Sequence, residues 1–151
     1  MGSSIVPAAA IDMCKRFEGL RLKPYLCPAG VPTIGYGSTR YPDGRAVTLK
    51  DPPISAAMAE FLLLEDLARF AAGALRLCPV LAAEPESRRA AIIDFTYNLG
   101  LGRLQSSTLR RRINQRDWPE AVREIKRWNR GGGRVLRGLV LRREAEAALL
   151  A

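Results

Sequence analysis

The sequence predicts an α+β fold in which helices dominate, and three observations lead to it. Glycine, proline and short β-favouring pieces gather between Pro24 and Pro53, while Ala, Leu, Glu and Arg fill the stretches on either side. The run from Ile54 to Leu77 keeps a helix-forming composition without interruption. From Glu86 onward, helical stretches alternate with short Gly, Ser and Asn punctuation. A chain of 151 residues is expected to form one domain with a core that needs no disulfide or metal staple.

Each element has its own signal. Residues 8–20 read as a helix because Ile11, Cys14, Phe17 and Glu18 fall near one face at three- and four-residue spacing. Pro24 and the Gly/Pro-rich stretch to Gly44 end that pattern. Val31 to Tyr36 and Ala46 to Leu49 read as short strands separated by turn signals such as Asp43-Gly44, which gives a small hairpin or a three-stranded sheet. Pro52 and Pro53 precede the helix from Ile54 to Leu77, which spans roughly 35 Å at about 1.5 Å per residue and can connect two lobes. Pro79 marks its end. The helix Glu86 to Leu99 stops at Gly100-Leu101-Gly102, a plausible αL cap. Ser106 or Ser107 caps a short helix to Asn114, and Asp117 caps the next, which runs to Trp128 with Pro119 in its first turn. Gly131-Gly132-Gly133 is a flexible break before a last helix at about 136–150. The expected organisation over 1–151 is a β-containing lobe at about 22–53, a connecting helix at about 54–77, and a helical lobe at about 79–151 joined by the N-terminal helix at about 8–20.

Composition narrows the chemistry. With no histidine, neither a Ser-His-Asp or Cys-His nucleophile system nor an imidazole zinc site can be built. Cys14, Cys27 and Cys78 are odd in number and lack CxxC spacing, so neither a disulfide framework nor a zinc ribbon is expected. No apolar run approaches the length that spans a bilayer. Met1-Gly2-Ser3-Ser4 is uncharged and Pro7 breaks the stretch from Ile5 to Ile11, a poor secretory signal. Charge is uneven: residues 103–151 hold 13 Arg/Lys against 5 Asp/Glu, whereas residues 1–102 hold 11 against 10. Such a basic half implies either an anionic partner or simply a solvated helical face.

The stretch with chemical content is Phe17-Glu18-Gly19 followed by Pro24-Tyr25-Leu26-Cys27 and Thr33-Ile34-Gly35-Tyr36-Gly37. Glu18 has apolar neighbours on its helix face, so partial burial is expected to favour its protonated form, and a protonated carboxyl beside a cleft is what cleavage of a glycosidic bond requires. Eight residues separate Glu18 from Cys27 and five separate Cys27 from Thr33, with Ile34-Gly35-Tyr36-Gly37 next. This pattern resembles the active-site signature of the phage-type lysozymes, glycoside hydrolase family 24: Glu, eight residues, Asp or Cys, five residues, Thr, then an Ile-Gly-x-Gly strand. Asp94 to Gly100 with Leu104 to Leu109 resembles the family's second-lobe helix pair. Arg127-Trp128, Gly131 to Gly133 and Gly138 to Glu144 resemble its closing segment, so the likeness covers about residues 10–150.

The resemblance implies a lysozyme-like two-lobed fold and a muramidase that cleaves the β-1,4 bond between N-acetylmuramic acid and N-acetylglucosamine, with the glycan in a cleft between the lobes. It places Glu18 as general acid, Cys27 where most members have aspartate, and Thr33 where the family's threonine positions a water or intermediate. It further implies that Tyr36, Thr39, Tyr97 and Thr108 lie on the cleft side, and that neither metal nor organic cofactor is needed. Gly35 and Gly37 are expected to let backbone approach the sugar polymer. A thiol in place of carboxylate leaves the stereochemical course, inverting or retaining, open. The expected partners are peptidoglycan strands and an anionic wall or membrane surface met by the basic second lobe, with no nucleic acid and a monomeric protein. Synthesis in the host cytoplasm and action on the periplasmic wall after holin-type release are the expected setting. The alternatives are a catalytically impaired peptidoglycan binder and a basic helical nucleic-acid-binding protein whose affinity would fall steeply with salt. Trp118 and Trp128 read as core, Cys14 and Cys78 as packing, and Asp94 with Arg88 or Arg89 as ordinary helix-surface pairs.

Overall fold

A computed structural model describes residues 6–151 of the chain, and the expectations about Met1 to Ile5 lie outside them. The described elements are α1 (Ala8–Glu18), β1 (Arg21–Leu26), β2 (Pro32–Gly35), α2 (Ala56–Leu77), a 3₁₀ turn (Pro79–Ala83), α3 (Glu86–Leu99), α4 (Leu101–Gln105), α5 (Thr108–Asn114), α6 (Trp118–Lys126), β3 (Arg130–Gly131), β4 (Arg134–Val135) and α7 (Arg137–Leu150). The fold is therefore mainly helical with small antiparallel sheets, as the composition indicates.

Caps explain most boundaries. The Ser55 side chain accepts from the Met58 N–H and starts α2, and Ser107, rather than Ser106, accepts from the Arg110 N–H at 3.0 Å and starts α5. Asp117 Oδ1 accepts from the Glu120 N–H at 3.3 Å and starts α6, with Pro119 in the first turn. Gly100 ends α3 with its N–H on the Thr96 carbonyl at 2.7 Å, but at φ +94° and ψ 153° it is extended on the positive-φ side and not the αL cap expected. The chain then enters α4 directly, an element the glycines at 100 and 102 conceal in the sequence. α1 ends two residues earlier than expected, because Gly19 takes φ +72° and turns the chain out of the helix. Glu18 is thus the last helical residue.

Two departures concern the sheets. Strand β1 carries Pro24, which removes a ladder donor and sits inside the register irregularity between Arg21 and Tyr25 of the β1–β2 hairpin. Residues 46–49 form no strand beyond the isolated Arg40–Ala46 bridge. Asp51 captures that segment instead: it accepts from the Thr48 N–H at 2.9 Å, the Tyr41 hydroxyl at 2.8 Å and the Thr48 hydroxyl at 2.8 Å, bonds that hold its carboxyl down at about 2. The glycine run at 131–133 is a tight hairpin rather than a flexible break. Gly132 and Gly133 both take positive φ between β3 and β4, which is the requirement of a two-residue turn between antiparallel strands.

Two apolar clusters organise the elements around α2. The larger joins α1 and α2 to α3–α7 through residues such as Cys14, Leu63, Leu67, Ile92, Phe95 and Ile125. The smaller packs Ile34 of β2 and Val47 on Leu62, with Tyr41 and Ile54 at its margin. Trp118 and Trp128 lie against the larger cluster, Trp128 edge-on to Phe95 with ring centroids 5.6 Å apart, as expected for core residues. Helix α3 is the most enclosed element: every residue from Ala90 to Thr96 is buried. Among the described residues, no helix is long and apolar enough to cross a membrane.

Candidate active site

Glu18 sits at the C-terminal lip of α1, where the Gly19 turn leaves its side chain between the helix and the β1–β2 hairpin. Its two oxygens have different surroundings. Oε2 accepts a hydrogen bond from Arg142 Nη1 at 3.0 Å. Arg142 is itself fixed by a bidentate contact with Asp94, Nε to Oδ2 at 2.9 Å and Nη2 to Oδ1 at 2.8 Å. The Phe17 ring lies 5.5 Å from the guanidinium, and Cys14 donates from Sγ to Asp94 Oδ1 at 3.1 Å. Oε1 of Glu18 faces Gly37, where an added Cβ would stand 3.6 Å from this oxygen and 3.5 Å from the Tyr97 hydroxyl. The glycine therefore keeps the space before Oε1 open.

Cys27 stands at the tip of the β1–β2 hairpin, half-buried and free of any disulfide. The surroundings of its sulfur, the Val31 backbone first and then Ala29, Thr33 and Gly30, hold the thiol below its ordinary range against the opposing effect of burial. This position therefore favours a thiolate over what a free thiol would show. Thr33 is buried, and its hydroxyl donates to the Val31 carbonyl at 2.8 Å, which fixes its oxygen beside the sulfur.

Glu18, Cys27, Thr33, Thr39 and Tyr97 line one cleft of about 630 Å³. Tyr97 donates its hydroxyl to the Tyr36 carbonyl at 2.8 Å, and burial pushes this phenol well up, so it remains a proton-bearing donor. Tyr36 stands behind the cleft, packed on the larger core with Lys15 Nζ 5.7 Å from its ring centroid. Thr108 lies elsewhere, in a depression shared with Glu124, Arg127 and Trp128, where its hydroxyl accepts from Arg111 Nη2 at 3.0 Å. Gly35 also differs from expectation. An added Cβ there would come within 3.3 Å of Ala59 Cβ, so this glycine lets β2 approach α2 rather than a sugar.

Several cleft residues carry no signal in a motif. Asn98, Asp66 and Arg69 line the same space, and Asp66 places a second carboxylate in it. Its oxygens are engaged by the Ser38 hydroxyl at 2.7 Å and by Arg69, and burial pushes its carboxyl up despite both. Asp94, read from the sequence as a surface residue, is fully buried. The available signal was its place between Ile93 and Phe95 in an apolar helical run, where a carboxylate needs a buried cation.

Residues 15–146 match the sequence model of the phage lysozyme family. The endolysin of Bacillus phage B103 is 38% identical over 144 residues, which cover 95% of this chain and 53% of that protein. The SAR-endolysin of Bacteriophage PS34 is 38% identical over 130 residues, covering 85% of this chain and 73% of that protein. The chain thus spans about half the length of the Bacillus phage relatives it matches. Among solved structures, an endolysin from Escherichia coli O157:H7 phage FAHEc1 superposes with a TM-score of 0.83 at 32% identity, over 96% of this chain and 92% of that one.

Proposed function

The chain belongs to the phage lysozyme family, and from that premise we propose that it is a peptidoglycan-hydrolysing muramidase with Glu18 as its proton donor. One observation carries the reading: Glu18, anchored through Oε2 by Arg142 and with Oε1 beside Gly37, lines the cleft that also holds Cys27 and Thr33. A proton on Oε1 faces the space where a glycosidic oxygen would sit, and the anchored oxygen fixes the direction of its delivery. Departure of the protonated sugar oxygen leaves positive charge at the anomeric carbon. Cys27, its thiol held below the ordinary range, supplies the opposing base or nucleophile as thiolate, and Thr33 lines the same cleft. The substrate is the muramic acid–glucosamine linkage of the bacterial wall, with Thr39 and Tyr97 contacting the glycan. The enzyme acts as a single two-lobed domain on the periplasmic wall after release from the host cytoplasm.

Glu18→Gln keeps the size and the bond from Arg142 but cannot deliver a proton. Lysis of outer-membrane-permeabilised cells should fall by about 10²–10⁴-fold with the thermal transition preserved. A folded Glu18→Gln protein that clears cell walls at the parent rate would overturn the assignment. Wall binding without turnover by the parent protein would show a binder instead.

A further inference from the structure

Beyond α2, the helical lobe contributes two residues to the cleft that holds Glu18: Tyr97 and Asn98, both from α3. The Tyr97 proton is committed to the Tyr36 carbonyl at 2.8 Å. Asn98 carries a donor and an acceptor on one amide, and which of the two is left for a ligand decides what it can recognise. The proposed reaction gives this residue no part.

Its orientation is set from behind. Arg143 of α7 donates from Nη2 to Asn98 Oδ1 at 2.8 Å. A guanidinium only donates, so the amide oxygen must be the atom that faces it. Arg143 has little freedom of its own. It is fully buried, with Nη2 2.7 Å from Glu146 Oε1 and Nε 2.6 Å from Glu146 Oε2. Its Nη1 donates to the Trp128 carbonyl at 3.4 Å, and the Phe95 ring centroid lies 5.3 Å from the guanidinium. A buried pair of this kind is a weak source of stability, but its fork fixes a direction. The Asn98 nitrogen is what remains. Asn98 is half-buried on the cleft wall, and among the described residues its Nδ2 makes no hydrogen bond and is not buried.

We propose that Asn98 is a specificity-determining residue whose Nδ2 donates to the acetamido carbonyl of a bound glycan, with Arg143 and Glu146 as positioning residues behind it. The inference rests on the reading of this cleft as the glycan site, and not on which group delivers the proton. An amide nitrogen donates and does not accept, so its partner must offer a lone pair. A sugar hydroxyl can turn either its hydrogen or a lone pair toward a neighbour and so discriminates little, whereas a carbonyl oxygen only accepts. Both sugars of the proposed substrate carry such a carbonyl on an acetamido group. A glycan without it leaves the donor unpaired, which is how a polar site rejects an analogue.

Calorimetric binding of chitotetraose, with an acetamido group on every ring, against cellotetraose, with a hydroxyl in its place, tests this without requiring turnover. The parent should prefer chitotetraose. Asn98→Asp keeps an oxygen for Arg143 but removes the donor, so it should weaken chitotetraose about five- to tenfold and change cellotetraose little. Arg143→Lys keeps the charge beside Glu146 but loses the fork that holds Asn98, so it should also lower the preference. A general loss of structure would weaken both sugars alike. In ¹H–¹⁵N spectra of the parent, the Asn98 side-chain amide signals should shift with chitotetraose and far less with cellotetraose. Unmoved Asn98 signals, equal loss of both sugars in either folded variant, or a parent without preference overturns the proposal. The expected binding pattern in a protein that does not lyse walls upholds Asn98 and refutes the muramidase reading, whereas lysis with an unmoved Asn98 amide does the reverse. Should the variants not fold, the parent spectra decide.

Discussion

At the scale of single residues, the proposed chemistry depends on Cys27 being an anion. The hairpin tip favours that anion, through the Val31 backbone above all, against the opposing effect of burial. Because the folded thiol is held below its ordinary value, thiolate builds up as pH rises through the lowered value. The same shift stabilises the folded protein above the unfolded thiol's pKa, and that contribution is lost as pH falls through the folded one. The rising limb of lysis activity should therefore lie below that expected of a free thiol. Cys27→Asp should retain activity and move that limb toward the carboxylate range, at roughly pH 4. Cys27→Ala should lose about 10²-fold or more if the sulfur is base or nucleophile. A pH–rate profile of the three proteins checks this, and parent-rate turnover by Cys27→Ala would make the thiol a bystander.

At the scale of elements, the motif residues are legible because their spacing along one helix end and one hairpin is local. The residues that support them are not. Arg142 reaches Glu18 across 124 sequence positions, and nothing in the pair Arg142-Arg143 says which neighbour meets Glu18. Strand β1 was hidden by Pro24, and the β3–β4 hairpin by glycines that also suit a loose loop. Gly35 illustrates the limit most clearly, since its motif position suggests sugar contact and its surroundings are α2. Two costs separate here. Gly35→Ala meets both a φ of +70° and Ala59 at 3.3 Å, whereas Gly44→Ala meets a φ of +86° with nothing within 4 Å. The left-handed backbone alone costs roughly 1–2 kcal/mol, so Gly44→Ala should lose about that much in urea unfolding. Gly35→Ala should lose about 1 kcal/mol more, because the hairpin must move away from α2. Equal losses would show that this close approach is energetically neutral.

At the scale of the whole molecule, the excess positive charge of residues 103–151 is only partly presented where its densest run lies: Arg111 is exposed, whereas its neighbour Arg110 is committed to the fold. Arg110 is turned inward, donating from Nε to the Leu77 carbonyl at 2.8 Å and from Nη1 to the Gln105 carbonyl at 3.1 Å. Its charge helps tie α5 to the end of α2, so reversal there would test folding and not wall binding. Arg123 and Arg127 are exposed, but each is paired with a glutamate one turn earlier on α6. The β3–β4 hairpin is different. Arg130, Arg134 and Arg137 are exposed at or beside it, and among the described residues none of the three makes an ion pair. A cluster of uncompensated guanidinium groups on a short projecting hairpin attracts an anionic wall over about one Debye length, ~10 Å at 0.1 M salt. Arg130→Glu with Arg134→Glu should therefore slow lysis several-fold at low ionic strength, and the gap from the parent should close as salt screens the attraction. The same pair should leave turnover of short soluble muropeptides near the parent value, because neither residue lines the cleft around Glu18. Salt-independent loss, or equal loss on the soluble substrate, would move these arginines from wall attraction to catalysis or folding.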